Sequence, residues 1–515
     1  MQEIINRKGW SSFRLVIPAF PEVNIFTRVA KATTALGPIM VATVVNKIWG
    51  WRAEVIDENN YKGPRDNQGL PDHEILQKEN PATVVGFYCG LSSTMERVWE
   101  LAKFYHSQEV VIIAGGWHAH YCPEEILKKN IDIVVHGEGE IVIRQILDTL
   151  KEGKSVGDIP GISFLENEQI KTNFPEMLEV PDLNDLPYPD FGLLKHANKL
   201  KMYPIGRTRG CQMKCEFCSV RGDPRWARSQ HLFSLVNWLV ETRRAREFFI
   251  VDDRLEEDLA GTLDFFRMIS EKYGPRLKFA VQIRLEAAEN TDLLEVMRKA
   301  GVKRVVIGYE SPIDKDLIAM RKGYLSSRML EETKTYRRYG FWIHGMFMFG
   351  YPLKDKKISL SAREVAKRFK RFIYKGGIHT IQILRPVPLV GTDLRRRLEK
   401  EGRIFALELV SWSKYDGNYI CFQPDNMTLR EFQEIPMKIM RWFYNPLSLA
   451  RILLKTLTFP IDYLIRGWQR WHRGWWKDIV KYGGHLLIKR WQKREEGSRF
   501  IEKLEVSQSG LKKVP

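Results

Sequence analysis

A chain of 515 residues, 44% hydrophobic and 28% charged, is too long for one ordinary core and too apolar to be disordered, so it reads as two domains and an appendage. Six cysteines in that length, three of them within eight positions, exclude a disulfide framework and point to a reducing cytosol with a metal site; Cys89, Cys122 and Cys421 read as ordinary buried thiols. The net charge of +18 calls for an anionic partner, with nucleic acid, anionic lipid and phosphorylated substrate all open.

Residues 1–10 carry no basic region followed by an apolar stretch and a cleavage site, so no secretion signal is read there. No run of about 18 apolar residues argues for a spanning helix. From residue 12 to about 177, short β-branched runs alternate with helical stretches, the pattern of a parallel sheet with helices on both faces. Strands are predicted at 13–17, 52–56, 83–88, 110–114 and 131–135, which makes residues 1–180 a Rossmann-like domain. Ligands of such sheets sit outside the carboxyl ends of the strands, so the loops carrying Ser92, Gly115, Gly116, Gly137 and Glu138 are expected on one rim. A proline-rich, acidic stretch with Pro181, Pro187 and Pro189 marks a linker over 181–200. Beyond it, strands predicted at 248–251, 278–283, 304–307, 342–349 and 380–384 recur with helices between them, and residues 201–395 read as a second β/α domain, an incomplete barrel. Residues 396–515 turn helical and, after Arg441, aromatic and strongly basic.

The sharpest signal is Gly210-Cys211-Gln212-Met213-Lys214-Cys215-Glu216-Phe217-Cys218. Thiolates are soft ligands of iron-sulfur clusters, and three on one short loop reach three corners of a cubane while leaving the fourth iron open. A catalytic cluster needs that open iron, because a substrate amine and carboxylate can chelate it. Zinc is the competing reading, but no fourth ligand is near; His231 lies too far along the chain.

This spacing, three and then two residues between cysteines with the aromatic Phe217 before the last, resembles the radical S-adenosylmethionine superfamily. The resemblance implies a [4Fe-4S] cluster on Cys211, Cys215 and Cys218, S-adenosyl-L-methionine on the unique iron, and its reductive cleavage to a 5′-deoxyadenosyl radical that takes hydrogen from an unactivated carbon. It also implies an electron donor such as flavodoxin or ferredoxin. Asp252 and Asp253 at a strand end resemble the acidic segment that meets the methionine amine or ribose, with a helix N-cap as the structural alternative. Gln282 and Arg284 resemble the polar pair that holds the methionine carboxylate, a surface arginine at a strand end being the plain reading. Glu310, in Gly308-Tyr309-Glu310-Ser311, resembles the family's glutamate near the ribose, a buried structural anchor being its other reading. Gly345 and Gly350 frame a segment similar to the strand and turn beside adenine, and Pro388-Leu389-Val390-Gly391-Thr392 resembles the turn that ends this core.

The first half is similar to one subgroup. Gly115-Gly116-Trp117-His118, followed by Pro123-Glu124-Glu125 and then His136-Gly137-Glu138-Gly139-Glu140, resembles members that carry an N-terminal cobalamin-binding domain. This second resemblance implies an α/β chain with a cobalamin-binding-type Rossmann domain, a partial (β/α)6 barrel of the TIM type and a helical C-terminal region, with cobalamin as the third cofactor. The aspartate-x-histidine-x-x-glycine string that supplies an axial histidine in other cobalamin domains does not occur, and many members of the subgroup lack it too. His118 and His120 read as hydrogen-bonding loop residues rather than cobalt ligands.

Between Arg441 and Arg494, about a dozen lysines and arginines stand against Asp462 and Asp478, with Trp442, Trp468, Trp471, Trp475, Trp476 and Trp491 interleaved. Apolar segments at 447–454, 459–465 and 486–488 are too short to span a bilayer and suit helices lying in its interface. Nucleic acid is disfavoured because the apolar residues cluster and no nucleic-acid motif accompanies them; a packed helical domain with a solvated basic face is the plain alternative. The sequence therefore reads as a cytoplasmic enzyme, peripheral to the membrane, that functionalises a lipid, isoprenoid or tetrapyrrole by cobalamin-dependent methylation. Cobalamin-free cyclisation, coupling or rearrangement is the alternative within that class, and a non-enzymatic iron-sulfur scaffold or redox sensor the alternative outside it.

Overall fold

A computed structural model describes residues 11–21, 31–167, 169–175, 178–197, 200–220, 222–492 and 496–511, the side chains of 462–463, 465–466, 469–470, 491–492, 496–498 and 507–511 excepted. Residues 1–10, position 177, Arg494 and the side chains of Asp462 and Trp491, on which the sequence reading touches, lie outside the described residues. The chain divides into a first unit of Met1–Arg209, Pro224–Asp252 and Leu389–Gly391, and a second of Gly210–Asp223, Asp253–Pro388 and Thr392–Pro515.

In the first unit, β1 (Ser11–Ile17), β2 (Trp51–Asp57), β3 (Val84–Tyr88), β4 (Val111–Gly115) and β5 (Ile133–Val135) form where the β-branched runs place them and pair in parallel. They are buried almost throughout, as strands covered on both faces must be. β6 (Ile162–Glu166) and β7 (Gln169–Asn173) then add an antiparallel hairpin, giving the order β2-β1-β3-β4-β5-β6-β7. That hairpin departs from the wholly parallel sheet expected. β7 is a polar edge strand with no apolar run to reveal it, and Asn167 enters the turn at φ 51°, a conformation asparagine tolerates better than most residues. The strand order reverses between β1 and β3, where sheets of this kind open a crevice at their carboxyl ends.

One enclosed cation ties this sheet to its helices. Arg14 on β1 donates to Glu54, its register partner on β2 (2.7 Å), to Gln77 (3.0 Å), to the Tyr105 hydroxyl (3.0 Å) and to the carbonyls of Leu76 (2.9 Å) and Asn80 (2.6 Å). Each guanidinium N–H has an acceptor, the condition under which a cation can be buried. β8 (Tyr203–Ile205), β9 (Thr208–Arg209), β10 (Arg225–Trp226) and β11 (Glu247–Ile250) complete the unit as two pairs, β8 parallel with β11 and β9 antiparallel with β10.

In the second unit, β12 (Lys278–Ile283), β13 (Val302–Glu310), β14 (Trp342–Met348) and β15 (Thr380–Leu384) are parallel neighbours in that order. Their apolar alternation sorts the two faces. Ile283, Ile307, Ile343 and Ile383 are buried on one, whereas Gln282, Gly308, Met346 and Met348 on the other stay at least partly open. Together with β8 and β11 they supply the six parallel strands expected of the region after residue 201.

The C-terminal region is helical over Leu429–Phe443, Leu447–Leu457, Phe459–Arg466, Trp468–Gln492 and Glu496–Leu511, and among the described residues no helix is long and apolar enough to cross a membrane. Pro436 sits inside the first of these helices and lacks the N–H that would bond Phe432, four residues back. Arg385, wholly buried just past β15, fills the gap: Nε donates to the Phe432 carbonyl (3.3 Å), and the terminal nitrogens donate to the carbonyls of Gln433 and Gly417. Burial lowers this guanidinium to about 10, with Asp416 opposing the shift. Arg385→Ala is expected to cost about 1–3 kcal/mol, since the Phe432 carbonyl loses its donor while the Gly417 carbonyl keeps the backbone N–H of residue 385. Returning a backbone N–H with Pro436→Ala should recover about 1 kcal/mol of that loss, measured by urea unfolding of both single variants and the double.

Candidate active site

The three cysteines fall on a loop of the second unit with no regular structure beyond a turn at 216–217, so side-chain bonding must fix its shape. Cys215 is buried, Cys211 and Cys218 are half-buried, and all three are free thiols. Glu216, enclosed between the second and third cysteines, does most of the fixing. Its carboxylate accepts two bonds from Arg397 (2.8 and 3.0 Å) and one from the Tyr351 hydroxyl (2.7 Å). Its backbone N–H donates to Met320 (3.0 Å) and its carbonyl accepts from Leu394 (3.0 Å). Three separate segments thus grip one residue of the loop, and the fork of Arg397 sets the carboxylate's orientation. Sequence reading missed Glu216, because its partners lie more than 100 residues away.

Burial pushes the Cys218 thiol up to about 11 and raises Cys211 too, and Cys215 and Cys211 add to the shift at Cys218. Arg254 and Arg284 oppose the shift of Cys211, and Lys322 that of Cys218. Cys218 thus lies close enough to feel the charge of the other two thiols, and three cations flank Cys211 and Cys218. This donor set fits a [4Fe-4S] cluster: iron would displace the thiol protons, and the cations would offset the negative charge that results.

Asp252 and Asp253 both bond backbone that leads into this loop. In the first unit, Asp252 accepts the N–H groups of Arg207 (2.7 Å) and Thr208 (3.0 Å). In the second, Asp253 accepts from Gly210 (2.8 Å). The N-cap alternative is not realised, because Asp258 caps the helix Leu259–Lys272.

Gln282 stands open on β12, and Arg284 just beyond it donates to Glu286 (2.5 Å) and to the Lys322 carbonyl (2.6 Å). Glu310 ends β13 at φ 59°, a conformation costly for a non-glycine residue, where the register against β14 slips. Lys322 pairs with it at 2.8 Å and also lies 5.9 Å over the Phe217 ring. A Cβ on Gly308 would come within 2.5 Å of Glu310 Oε1 and 3.3 Å of Lys322 Nζ, so the pair needs glycine there. Lys322 is a second residue the sequence reading missed, since its loop carries no recognisable spacing. Arg284, Lys322 and Glu310 beside the cysteine loop fit the head of an amino acid, with cations for its carboxylate and a carboxylate for its ammonium. Gly345 lies on the helix-covered face among Tyr309, Phe347 and Ile378, and Gly350, at φ 72°, turns the chain over the Phe432 ring. The partly open positions near them are His344, Met346 and Met348.

In the first unit, Ser92, Gly115, Gly116, Gly137 and Glu138 follow β3, β4 and β5 in turn. Gly116, at φ 117°, lets the loops after β3 and β4 touch through their backbones, because a Cβ there would come within 2.8 Å of the Gly90 nitrogen. The Ser92 hydroxyl meets His118 Nδ1 (2.9 Å), and Glu138 is held by Arg209 and Arg225. His136 contacts His120 through their Nδ1 atoms (3.2 Å), and burial lowers both, His136 to about 4, so the pair is neutral. A glycine-edged rim along the ends of β3, β4 and β5, beside the point where the strand order reverses, fits a broad, flat macrocycle such as a corrin, approached by main chain.

Two family models match the chain, the B12 binding domain over residues 25–147 and the Radical SAM superfamily over residues 205–358. An uncharacterized methyltransferase of Pyrococcus horikoshii is 24% identical across 76% of this chain and 85% of its own. Cytidylyl-2-hydroxyethylphosphonate methyltransferase of Streptomyces wedmorensis is 25% identical across 76% and 82%. Bacteriochlorophyllide d C-8(2)-methyltransferase of Chlorobaculum tepidum is 22% identical across 75% and 83%. Among solved structures, the cobalamin-dependent S-adenosylmethionine radical enzyme OxsB with aqua-cobalamin bound shares the fold, with a TM-score of 0.65 over 99% of this chain and 81% of that one at 15% identity. If Glu216 fixes the cysteine loop, Glu216→Ala should weaken cluster retention roughly 10- to 100-fold while all three thiols remain. Iron left on the chain after exposure to a chelator measures this.

Proposed function

From a chain that belongs to the radical S-adenosylmethionine enzymes with an N-terminal cobalamin-binding domain, we propose a methyltransferase acting on an unactivated carbon of an apolar substrate at a membrane face. When bound, the [4Fe-4S] cluster and S-adenosylmethionine supply a 5′-deoxyadenosyl radical, and cobalamin supplies the methyl group. Cys211, Cys215 and Cys218 would hold the cluster, and Glu216 with Arg397 would keep their loop in shape. Gln282, Arg284 and Lys322 would receive the methionine carboxylate, and Glu310 its ammonium. Asp252 and Asp253 would hold the backbone leading into the cysteine loop. Met346 and Met348 on the open face would give an apolar lining that keeps water from a reactive radical. On the first unit, the loops bearing Ser92, Gly115, Gly116, Gly137 and Glu138 would form the rim against the corrin.

The observation that carries the apolar substrate is the surface of the C-terminal helices. Leu453 and Leu457 on one helix, Ile461 and Leu464 on the next and Trp468 at the start of a third are 57%, 79%, 63%, 82% and 51% exposed. Exposed apolar side chains of that kind, in a segment rich in lysine and arginine, suit the interface of an anionic bilayer. Part of the aromatic content serves packing instead. Trp471 donates to the Lys455 carbonyl (2.9 Å) and Trp475 to the Thr456 hydroxyl (3.0 Å), while the buried Asp478 accepts from Arg451 (3.1 Å) and Lys455 (2.7 Å). The bacteriochlorophyllide named for the Chlorobaculum relative supports an apolar substrate, whereas the phosphonate named for the Streptomyces relative is polar; the exposed apolar side chains favour the former.

Flotation of the full chain with vesicles containing phosphatidylglycerol should fall at least about tenfold in the Leu453→Glu/Leu457→Glu variant, because two buried leucines are lost from the bilayer. Cells expressing the protein and fed methyl-deuterated methionine should accumulate label in one organic-extractable product. Label confined to the aqueous phase would overturn the apolar substrate, and flotation unchanged by the substitutions would overturn the membrane face.

A further inference from the structure

Within the first unit, the chain after Gly115-Gly116 folds into two short helices, Trp117–Tyr121 and Pro123–Leu127. His118 and Cys122 are four residues apart, one helical turn, so their side chains leave on the same side. Pro123 opens the second helix at its first position, and Glu125 follows in that helix's first turn. The result is a cluster of three different donors. A ring nitrogen of His118, Cys122 Sγ and a Glu125 carboxylate oxygen all lie within 4.8 Å of one another, and His118 Nε2 is 3.7 Å from Glu125.

We propose that His118, Cys122 and Glu125 bind a divalent transition metal of the zinc class, distinct from the iron held by the cysteine loop. The imidazole is set for the task. His118 is completely buried, and its Nδ1 is bonded to the hydroxyl of Ser92, itself enclosed, so the ring's orientation is fixed with Nε2 toward Cys122 and Glu125. A hydrogen bond to the far nitrogen is the usual support of a metal-bound histidine. Cys122 forms no disulfide and is half-buried, and Glu125 is likewise half-buried, so both can turn toward an ion while one coordination position stays accessible. One nitrogen, one sulfur and one oxygen donor suit zinc, whereas magnesium and calcium favour oxygen alone. Bonds of about 2.0–2.3 Å bring tetrahedral donors to about 3.5 Å from one another, so the side chains close by roughly 1 Å on binding. Binding exchanges the Cys122 thiol proton for the metal, with no change of oxidation state.

The ion would staple the loop that follows β4. Trp117 on that loop donates to the Val390 carbonyl (2.8 Å), and the Tyr121 ring fills the space a Cβ on Gly391 would need (2.6 Å), so the same staple would also steady the turn Leu389–Gly391.

The test uses the full chain with its cluster reconstituted, equilibrated with zinc and desalted, followed by elemental analysis and zinc K-edge absorption. Close to one zinc per chain is expected, with one sulfur neighbour at about 2.3 Å and the rest nitrogen or oxygen. Cys122→Ser and Glu125→Gln should each release zinc to a chromogenic chelator at a concentration roughly tenfold lower than wild type requires. The Cys211→Ala/Cys215→Ala/Cys218→Ala chain should keep its zinc. A wild-type chain holding less than a tenth of an equivalent, a zinc spectrum without sulfur, or zinc lost with the three cluster cysteines rather than with Cys122 would overturn the site. Should Cys122→Ser fail to fold, Glu125→Gln and the absorption spectrum of the wild type still decide. Cobalamin content, read from the visible spectrum, separates a failure of this site from a failure of the corrin rim.

Discussion

Cys211 and Cys218, held with Cys215 on one short loop, resist ionisation, since burial favours the protonated form of both and the other two cysteines add to this at Cys218. The second unit is organised around relieving that conflict. Arg254, Arg284 and Lys322 bring positive charge to the cysteines, and Glu216 fastens the loop to Arg397 and Tyr351. Lys322 carries the effect outward. It is paired to Glu310, whose left-handed backbone and bulged register are tolerated because Gly308 leaves room for the ion pair. A residue in a costly conformation at a strand end, beside a metal-binding loop, is where stored strain is expected to serve function. The cysteines and the polar residues at the ends of β12 and β13 thus act as one electrostatic unit.

Much of this was legible because some constraints are local. The cysteine spacing is set by what one loop can present to a cluster, and the parallel strands betray themselves by β-branched runs that must be buried on both faces. Where partners are remote, the sequence is silent. Glu216 looks like any loop glutamate until Arg397 arrives from 181 residues away. Arg385 looks like a surface residue at a strand end, yet it is buried where it satisfies the Phe432 carbonyl that Pro436 leaves without a donor. The hairpin of β6 and β7 escaped because an edge strand with polar side chains has no apolar period to detect. Cys122 reads as an inert thiol until the fold sets it beside His118 and Glu125.

The two ends of the chain solve different problems. The first sheet uses a fully bonded cation, Arg14, to fix helices against strands and leaves its glycine-edged rim for a ligand. The C-terminal helices turn Trp471, Trp475 and Asp478 inward to hold one another, and leave leucines outward where a monomeric soluble protein would normally place polar groups. That division lets one tail be a packed helical region and an apolar surface at once, two readings that composition alone set in competition.

The most direct test of the central claim, that this loop makes an enzyme and not an iron-sulfur scaffold, is mass-spectrometric quantification of 5′-deoxyadenosine from the anaerobically reconstituted full chain given S-adenosylmethionine and a strong reductant. 5′-Deoxyadenosine is expected from the wild-type chain and is expected to be absent with Cys215→Ala. A wild-type chain that retains a reducible cluster and yields no 5′-deoxyadenosine would contradict it.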